Sequence, residues 1–449
     1  MKTKRFLLLI IIAIFFLYLA AMSKSEVILI SNAEQLVSIK DNPHGSFALI
    51  ADIELPTAWA AIDFYGRFDG REHTIRGGEL SVGLFGHVEN AVIENLVLED
   101  FTIKIPIGKT DFTGILAQEI SNSQITNITI KNGNIRSTSS VGAVGGLAGS
   151  LDSCTVSSIT VDVVIDVSAD FTGGLAGIAT DTCITDSKIK SGTLKGGKTI
   201  GGFIGHHIGQ SLINDCHSSA DVVGETAGGF IGKMSGKELP ANANHKVEVT
   251  RSSSTGNVTS CSGYAGGFVG EVYFASITEC GAYGNVSGGA KNGGFVAGLY
   301  DNSRVIYSYA KGDVFEGEII GGFCGVIANG ACIELAYSTG SVISKEIGVS
   351  VGGFVGMIAM DGAPNTITGC LSFAPWVTGV KDGNVGRFAG HMEHNGVNSC
   401  YSLLGSMVVS GDELIHALSS AYGADGKDMS MDQVEEVAYK LGWRIQMLQ

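Results

Sequence analysis

The chain has 449 residues, a formal charge of −15, and 64 glycines against only 6 prolines. Glycine is about twice the roughly 7 % usual in globular chains, yet no G-x-y period is present and proline is scarce, which excludes a collagen-like chain and a proline-rich linker. The acidic balance repels nucleic acid and anionic lipid, so nucleic-acid binding is excluded as the main function.

Residues 1–23 read as a signal peptide or an N-terminal anchor. Lys2, Lys4 and Arg5 precede an uncharged apolar run from Phe6 to Met22, with a small-residue cleavage site at Ala21-Met22-Ser23. Its removal takes three basic residues and moves the formal charge to −18. The expected location is therefore secreted or cell surface, with membrane contact only through this segment if it is not cleaved. Residues 24–45 read as an N-terminal cap, with a short helix from Asn32 to Val37 capped at Ser31 or Asn32.

From residue 46 to residue 408 the chain repeats. AGGFIGKM at 227–234, AGGFVGEV at 265–272, NGGFVAGL at 292–299 and VGGFVGMI at 351–358 are variants of one string. The second glycine, or its equivalent, falls at 83, 114, 146, 174, 202, 229, 267, 294, 322, 353 and 387, spaced 31, 32, 28, 28, 27, 38, 27, 28, 31 and 34. A second marker, (I/V)-x-x-(C/S)-x-x-x-G-x-V, ends at Val222, Val258, Val286, Val314 and Val342, and the last four valines are each 28 apart. Two markers sharing one period establish a tandem array.

Inside the unit apolar residues alternate over short spans, as in Ser276-Ile277-Thr278, and no window gives a helical face. Two or three strands of 3 to 5 residues per unit, with no crossover helix, fit a chain that winds once per repeat and pairs each strand in parallel with its equivalent about 4.8 Å away. The expected fold is all-β, a right-handed parallel β-helix (solenoid) on the order of 50 Å long with short helical end caps. Gly202, Gly229, Gly267, Gly294, Gly322 and Gly353 are expected at one corner, free to turn sharply or to take φ > 0. Phe203, Phe230, Phe268, Phe295, Phe323 and Phe354 are expected as an internal ladder. A phosphate-binding loop is excluded, because no G-K-[ST] ending or long helix follows Gly356.

These strings and the leader SNAEQLVSI to FYGRFDGREHTIRGGEL resemble the GLUG repeat of bacterial secreted and cell-surface proteins. That resemblance implies surface exposure and adhesin-like binding more than a reaction. The chain departs from the repeat at the inserted segment within 233–250, at DFTGILAQ (111–118), which has a single glycine, and at Arg387, which suggests a less crowded turn near the end of the stack. Residues 409–449 change to helix formers and read as a C-terminal helical cap, with a helix from Ser430 to Leu441.

No catalytic constellation emerges from the chemistry. His391, Glu393 and His394 lack the H-E-x-x-H spacing, and His206 and His207, adjacent in a strand, face opposite sides. The alternative to a binding module is a carbohydrate-active β-helix enzyme, a polysaccharide lyase or hydrolase, using Asp162, Asp166 and Asp170 or Asp313, Glu316 and Glu318. No cofactor is expected beyond incidental calcium at such turns. The nine cysteines contain no C-x-x-C pair and read mostly as buried thiols, with a Cys370–Cys400 bridge as the one alternative. The expected function is an exported, non-enzymatic, adhesin-like binding or structural module. Its binding candidates are Lys233, Lys237, His245 and Lys246 on the inserted loop and Tyr273, Tyr283, Tyr300, Tyr307 and Tyr309 on the walls. The expected partner is an extracellular glycan or surface protein, with self-association as the structural variant.

Overall fold

The structure is a computed structural model that describes residues 26–108, 112–190, 192–236, 247–346, 350–380, 383–394, 396–411, 413–414, 424–434 and 436. The chain winds as a right-handed parallel β-solenoid. In one coil the strands are Val269–Tyr273, Ser276–Thr278, Gly281–Ala282, Val286–Gly288 and Lys291–Gly293. The next coil repeats them in register, Val269 opposite Val296 and Ile277 opposite Val305. There are thus five strands per coil here, more than the two or three expected, because left-handed residues such as Phe274 (φ 51°) and Glu279 (φ 57°) cut the extended chain at corners besides the glycine one. Nearer the N-terminus the pieces fuse into strands of 13, 22 and 19 residues, Val92–Lys104, Gln124–Gly145 and Thr155–Gly173. One wall holds twelve strands in strict coil order, from Ile62–Phe64 to Ala389–Met392. Among the described residues the one antiparallel pairing is Val409–Ser410 with Glu413–Leu414.

The residue after each double glycine, or its equivalent, points into the core. Leu84, Ile115, Leu147 and Leu175 fill that place first, and Phe203, Phe230, Phe268, Phe295, Phe323, Phe354 and Phe388 follow, all fully buried. The phenylalanine rings stack 4.7–4.9 Å apart with interplanar angles of 2–13°. The first six each donate their backbone N–H to the carbonyl of the next ladder phenylalanine at 2.8–2.9 Å, and Phe388 donates to the Ala424 carbonyl at 2.9 Å. Burial of one such ring stabilises by about 1.5–3 kcal/mol, and stacking adds about 0.5–1.5 kcal/mol.

Crowding, and not φ, explains the two glycines. None of the six marker glycines from Gly202 to Gly353 has a positive φ. A Cβ on any of them would lie 2.0–2.2 Å from the carbonyl oxygen of its counterpart in the next coil. The glycine before it meets its own coil: a Cβ on Gly228 or Gly266 would lie 1.8 Å from the carbonyl oxygen three residues on. Gly294→Ala is therefore expected to destabilise the fold by about 3 kcal/mol or more in chemical denaturation. Gly405→Ala should cost less, since that glycine faces open space and suffers only from its φ of 97°.

Arg387 can stand in a glycine's place because no further GG corner follows it. The side chain is 4 % exposed and turns toward the segment that closes the stack. Its Nε donates to the Asp425 carbonyl at 3.0 Å, its Nη2 donates to the Gly426 carbonyl at 3.3 Å, and Nη2 lies 2.7 Å from Asp428 Oδ1. Of residues 409–449, the described part adds the strand Lys427–Met429, parallel to Tyr401–Leu403, and a 3-10 turn at Met431–Gln433. Half of the expected helix from Ser430 to Leu441 lies outside the described residues, as do residues 1–23. At the other end the helix Ala33–Val37 and the 3-10 turn Ser38–Asp41 cover the open core with Leu36 and Ile39, and Asn32 is the N-cap, accepting from Gln35 N–H at 3.0 Å. Arg387→Ala should release 424–434 to hydrogen exchange at least tenfold faster while leaving the exchange of 286–327 unchanged.

Candidate functional site

The Cys/Ser position of the repeat is a hydrogen-bonding corner. It follows a left-handed residue, Asp215, Arg251, Glu279 or Tyr307, and its side chain donates to the carbonyl two residues back. The distances are 3.3 Å for Cys216, 2.8 Å for Ser252, 3.3 Å for Cys280 and 2.9 Å for Ser308. The same atom accepts an N–H from the preceding coil: Cys216 N–H donates to Ser252 Oγ at 3.2 Å, and Cys280 N–H to Ser308 Oγ at 3.3 Å. Thiol and hydroxyl interchange because both do this work. All nine thiols are free, and Cys370 and Cys400, though neighbours, are unbridged and each donates to the carbonyl two residues back. Burial pushes the Cys216 and Cys280 thiols up to about 12, so neither is a nucleophile near neutral pH. Cys280→Ser should cost under about 1 kcal/mol, whereas Cys280→Leu should cost about 1–3 kcal/mol by overpacking, both read from denaturation midpoints.

The acids named in the sequence are held in separate roles. Asp221, Asn257, Asn285 and Asp313 form a second ladder, in which each Oδ1 accepts the next coil's N–H at 2.7–3.0 Å, ending on Ser341. This is the x of the G-x-V marker. Asp162, Asp166 and Asp170 lie four residues apart on one bent strand, at most about 13 Å per step. Asp170 is also paired with Lys198 at 2.7 Å. Glu393 accepts the Met360 N–H at 2.6 Å, and His394 Nε2 lies 3.1 Å from Asn365 Nδ2. Among the described residues no group of three or more His, Cys, Asp or Glu side chains is placed to hold a metal.

The tyrosines gather into two clusters. On the outer face of the twelve-strand wall, Tyr273 and Tyr300 stack at 5.1 Å, and Lys233 lies 4.8 Å from the Tyr273 ring centre. Glu271 accepts from Tyr273 Oη at 2.7 Å and lies 3.7 Å from Lys233 Nζ. Across the glycine corner Lys291 Nζ donates to Tyr264 Oη at 2.9 Å, and Tyr264 meets Tyr300 through their hydroxyls. The corner is a notch, where the column Phe171, Thr199, Thr226, Tyr264, Lys291 leans over the closing glycines of the repeat: a Cβ on Gly270 would lie 3.0 Å from Thr226 Cγ2. In the second cluster Tyr309 stacks on Tyr337 at 5.3 Å and bonds Tyr283 through their hydroxyls, with Lys311 Nζ 5.4 and 5.3 Å from the Tyr283 and Tyr309 rings. Burial raises the phenol pKa of Tyr273, Tyr300 and Tyr309.

Sequence reasoning named Tyr273, Tyr283, Tyr300, Tyr309 and Lys233 but missed Tyr264, Glu271, Lys291, Lys311 and Tyr337. The 28-residue step from Tyr309 to Tyr337 was the available signal. Tyr307 is the left-handed residue (φ 49°) of the turn before Ser308. Lys237, His245 and Lys246 lie outside the described residues. A polar groove of about 340 Å³ opens on another wall, lined by Asn127, Ser158, Asp186, Lys188, Asp215 and His217 among others.

No protein-family model and no curated protein matches the chain. Among solved structures, a putative immunoglobulin A1 protease from Bacteroides ovatus aligns at 12 % identity over 92 % of this chain and 86 % of that one, with a TM-score of 0.26. A structure described as an IgA1 protease aligns at 14 % identity over 91 % of this chain and 24 % of that one, with a TM-score of 0.30. Superpositions this loose carry no functional argument. No helix among the described residues is long and apolar enough to cross a membrane.

Proposed function

We propose that the protein is an exported, non-enzymatic binding module of the GLUG-repeat, adhesin-like kind, displayed at a bacterial surface. The observation that supports this most is the pair of tyrosine–lysine clusters on the outside of a rigid stack. Tyrosine combines contact area with a polar handle, and each cluster brings at least one ammonium group beside its phenols. Because neighbouring rings occupy one another's faces, the ligand meets ring edges, hydroxyls and ammonium groups. That favours an extended extracellular glycan or a surface protein carrying acidic groups over a neutral sugar stacked flat on an aromatic platform. The basic, then apolar run of residues 2–22 supports export.

The test is a glycan array combined with pull-down from host and bacterial surface extracts, using residues 24–449. Selective retention is expected, weakened about tenfold or more in a Lys233→Ala, Lys291→Ala, Lys311→Ala variant whose melting temperature is unchanged. Release of shortened or unsaturated sugars would overturn the non-enzymatic reading in favour of a lyase or hydrolase, and self-association without ligand would move it to a structural role.

A further inference from the structure

The coil between Thr199 and Ser218 combines three features. The inner ladder changes there from Leu175 to Phe203, just after the 19-residue strand Thr155–Gly173 has given way to short ones from Cys183 on. Buried polar side-chain atoms without a well-formed hydrogen bond gather in and beside it: Thr172 Oγ1, His207 Nδ1 and Ser218 Oγ. Two adjacent histidines occupy its strand Ile204–Ile208.

His207 stands in the inward column of the twelve-strand wall, between Ala179 of the coil before and Met234 of the coil after, and is fully buried. Its Nε2 lies 2.7 Å from Ser211 Oγ, its Nδ1 makes no well-formed hydrogen bond, and the nearby Ala179 backbone and Asp181 favour the charged ring less than burial opposes it. His206 faces outward, its ring stacked 5.1 Å from Phe171 and its Nε2 3.0 Å from Ser235 Oγ. The charged groups around the pair give little help to an imidazolium. From the coil before, Asp181 has an oxygen occupied by the Gln210 N–H. From the coils after, Lys233 opposes His206 directly, and Glu271 lies beyond it, 3.7 Å from that lysine. On the wall packed against His206, Asp170 is paired with Lys198, and Glu225 lies near that lysine.

We propose that this coil is an acid-sensitive seam: protonation of His206 and His207 opens residues 199–218 while the phenylalanine-laddered coils beyond it stay closed. In the closed coil burial holds both imidazoles down at about 4, for His206 with a further push from Lys233 and for His207 from His206. In the open coil each returns to about 6.5. Between those values the open form binds more protons than the closed one, so closure is fully favoured above pH 6.5 and is lost as pH falls toward 4. Each histidine then favours opening by about tenfold per pH unit, or about a hundredfold between pH 6.5 and 4.5.

Hydrogen exchange by mass spectrometry on residues 24–449 at pH 7 and pH 4.5, corrected for intrinsic rates, tests this. Protection in peptides covering 199–218 should fall by a hundredfold or more while peptides covering 286–327 keep theirs. A His206→Gln, His207→Met variant, with methionine extending the Met234 column, should lose this pH dependence. The single His206→Gln variant, which leaves the core intact, should show about half of it on a logarithmic scale. Unchanged protection at 199–218, an equal loss across 286–327, or the same loss in the single variant as in wild type would overturn the seam.

Discussion

Everything in this fold depends on how closely one coil's backbone approaches the next at the double-glycine corner. A Cβ there would sit about 2 Å from a carbonyl oxygen, far inside van der Waals contact, so the position is closed to every residue with a side chain as long as another corner follows. The close approach in turn sets the phenylalanine below it 4.7–4.9 Å from its neighbours, near the strand spacing. Arg387 shows the rule from the other side. Where the series of corners ends the steric demand ends with it, and the position carries the longest cation, which binds the closing segment instead.

A second economy concerns polar groups. Short strands joined by left-handed residues leave backbone groups unpaired at every corner, and a buried unpaired group costs about 1–3 kcal/mol. The chain meets this with side chains that recur at the coil period: Cys or Ser at one turn, Asn or Asp at another, each bridging its own coil to its neighbour. Residues that look like a thiol inventory or a set of catalytic acids are thereby committed to the stack. Asp313 is the plainest case, since one of its two carboxylate oxygens accepts the Ser341 N–H and so ties the side chain to the next coil.

The sequence made the architecture readable because the constraint repeats. The GG(F/L) string, the Cys/Ser corner and the G-x-V step each state a contact once per coil, and their shared period exposes parallel stacking without any homologous chain. Less was readable where the signal does not repeat. The number of strands per coil depends on left-handed corners at residues such as Phe274 and Leu335, whose side chains give no hint of a positive φ. The fusion of strands at 92–173 is likewise hidden, because the alternation of buried and exposed residues runs on through the bends. The notch at the glycine corner was invisible, because Tyr264 and Tyr300 belong to different walls and different coils and meet only once the corner is folded.

This division bears on where function can reside. Inward positions are fixed by packing, and corner positions by hydrogen bonds or crowding, so only outward columns are free to vary from coil to coil. On the twelve-strand wall one such column runs Ile178, His206, Lys233, Glu271, Gly298, Val326, changing character at every step while the inward column beside it stays apolar except at His207. Along that wall the side chain changes about every 4.8 Å from coil to coil, although Val326 is buried against Tyr300, Ile319 and Met357. Gly298 belongs to the same logic: the Tyr300 ring lies where its side chain would be, so a vacancy in one outward column gives the neighbouring tyrosine its place. The repeat that betrays the fold is therefore silent about function, and what distinguishes one coil from the next lies in the aperiodic residues that the repeat carries on its outside.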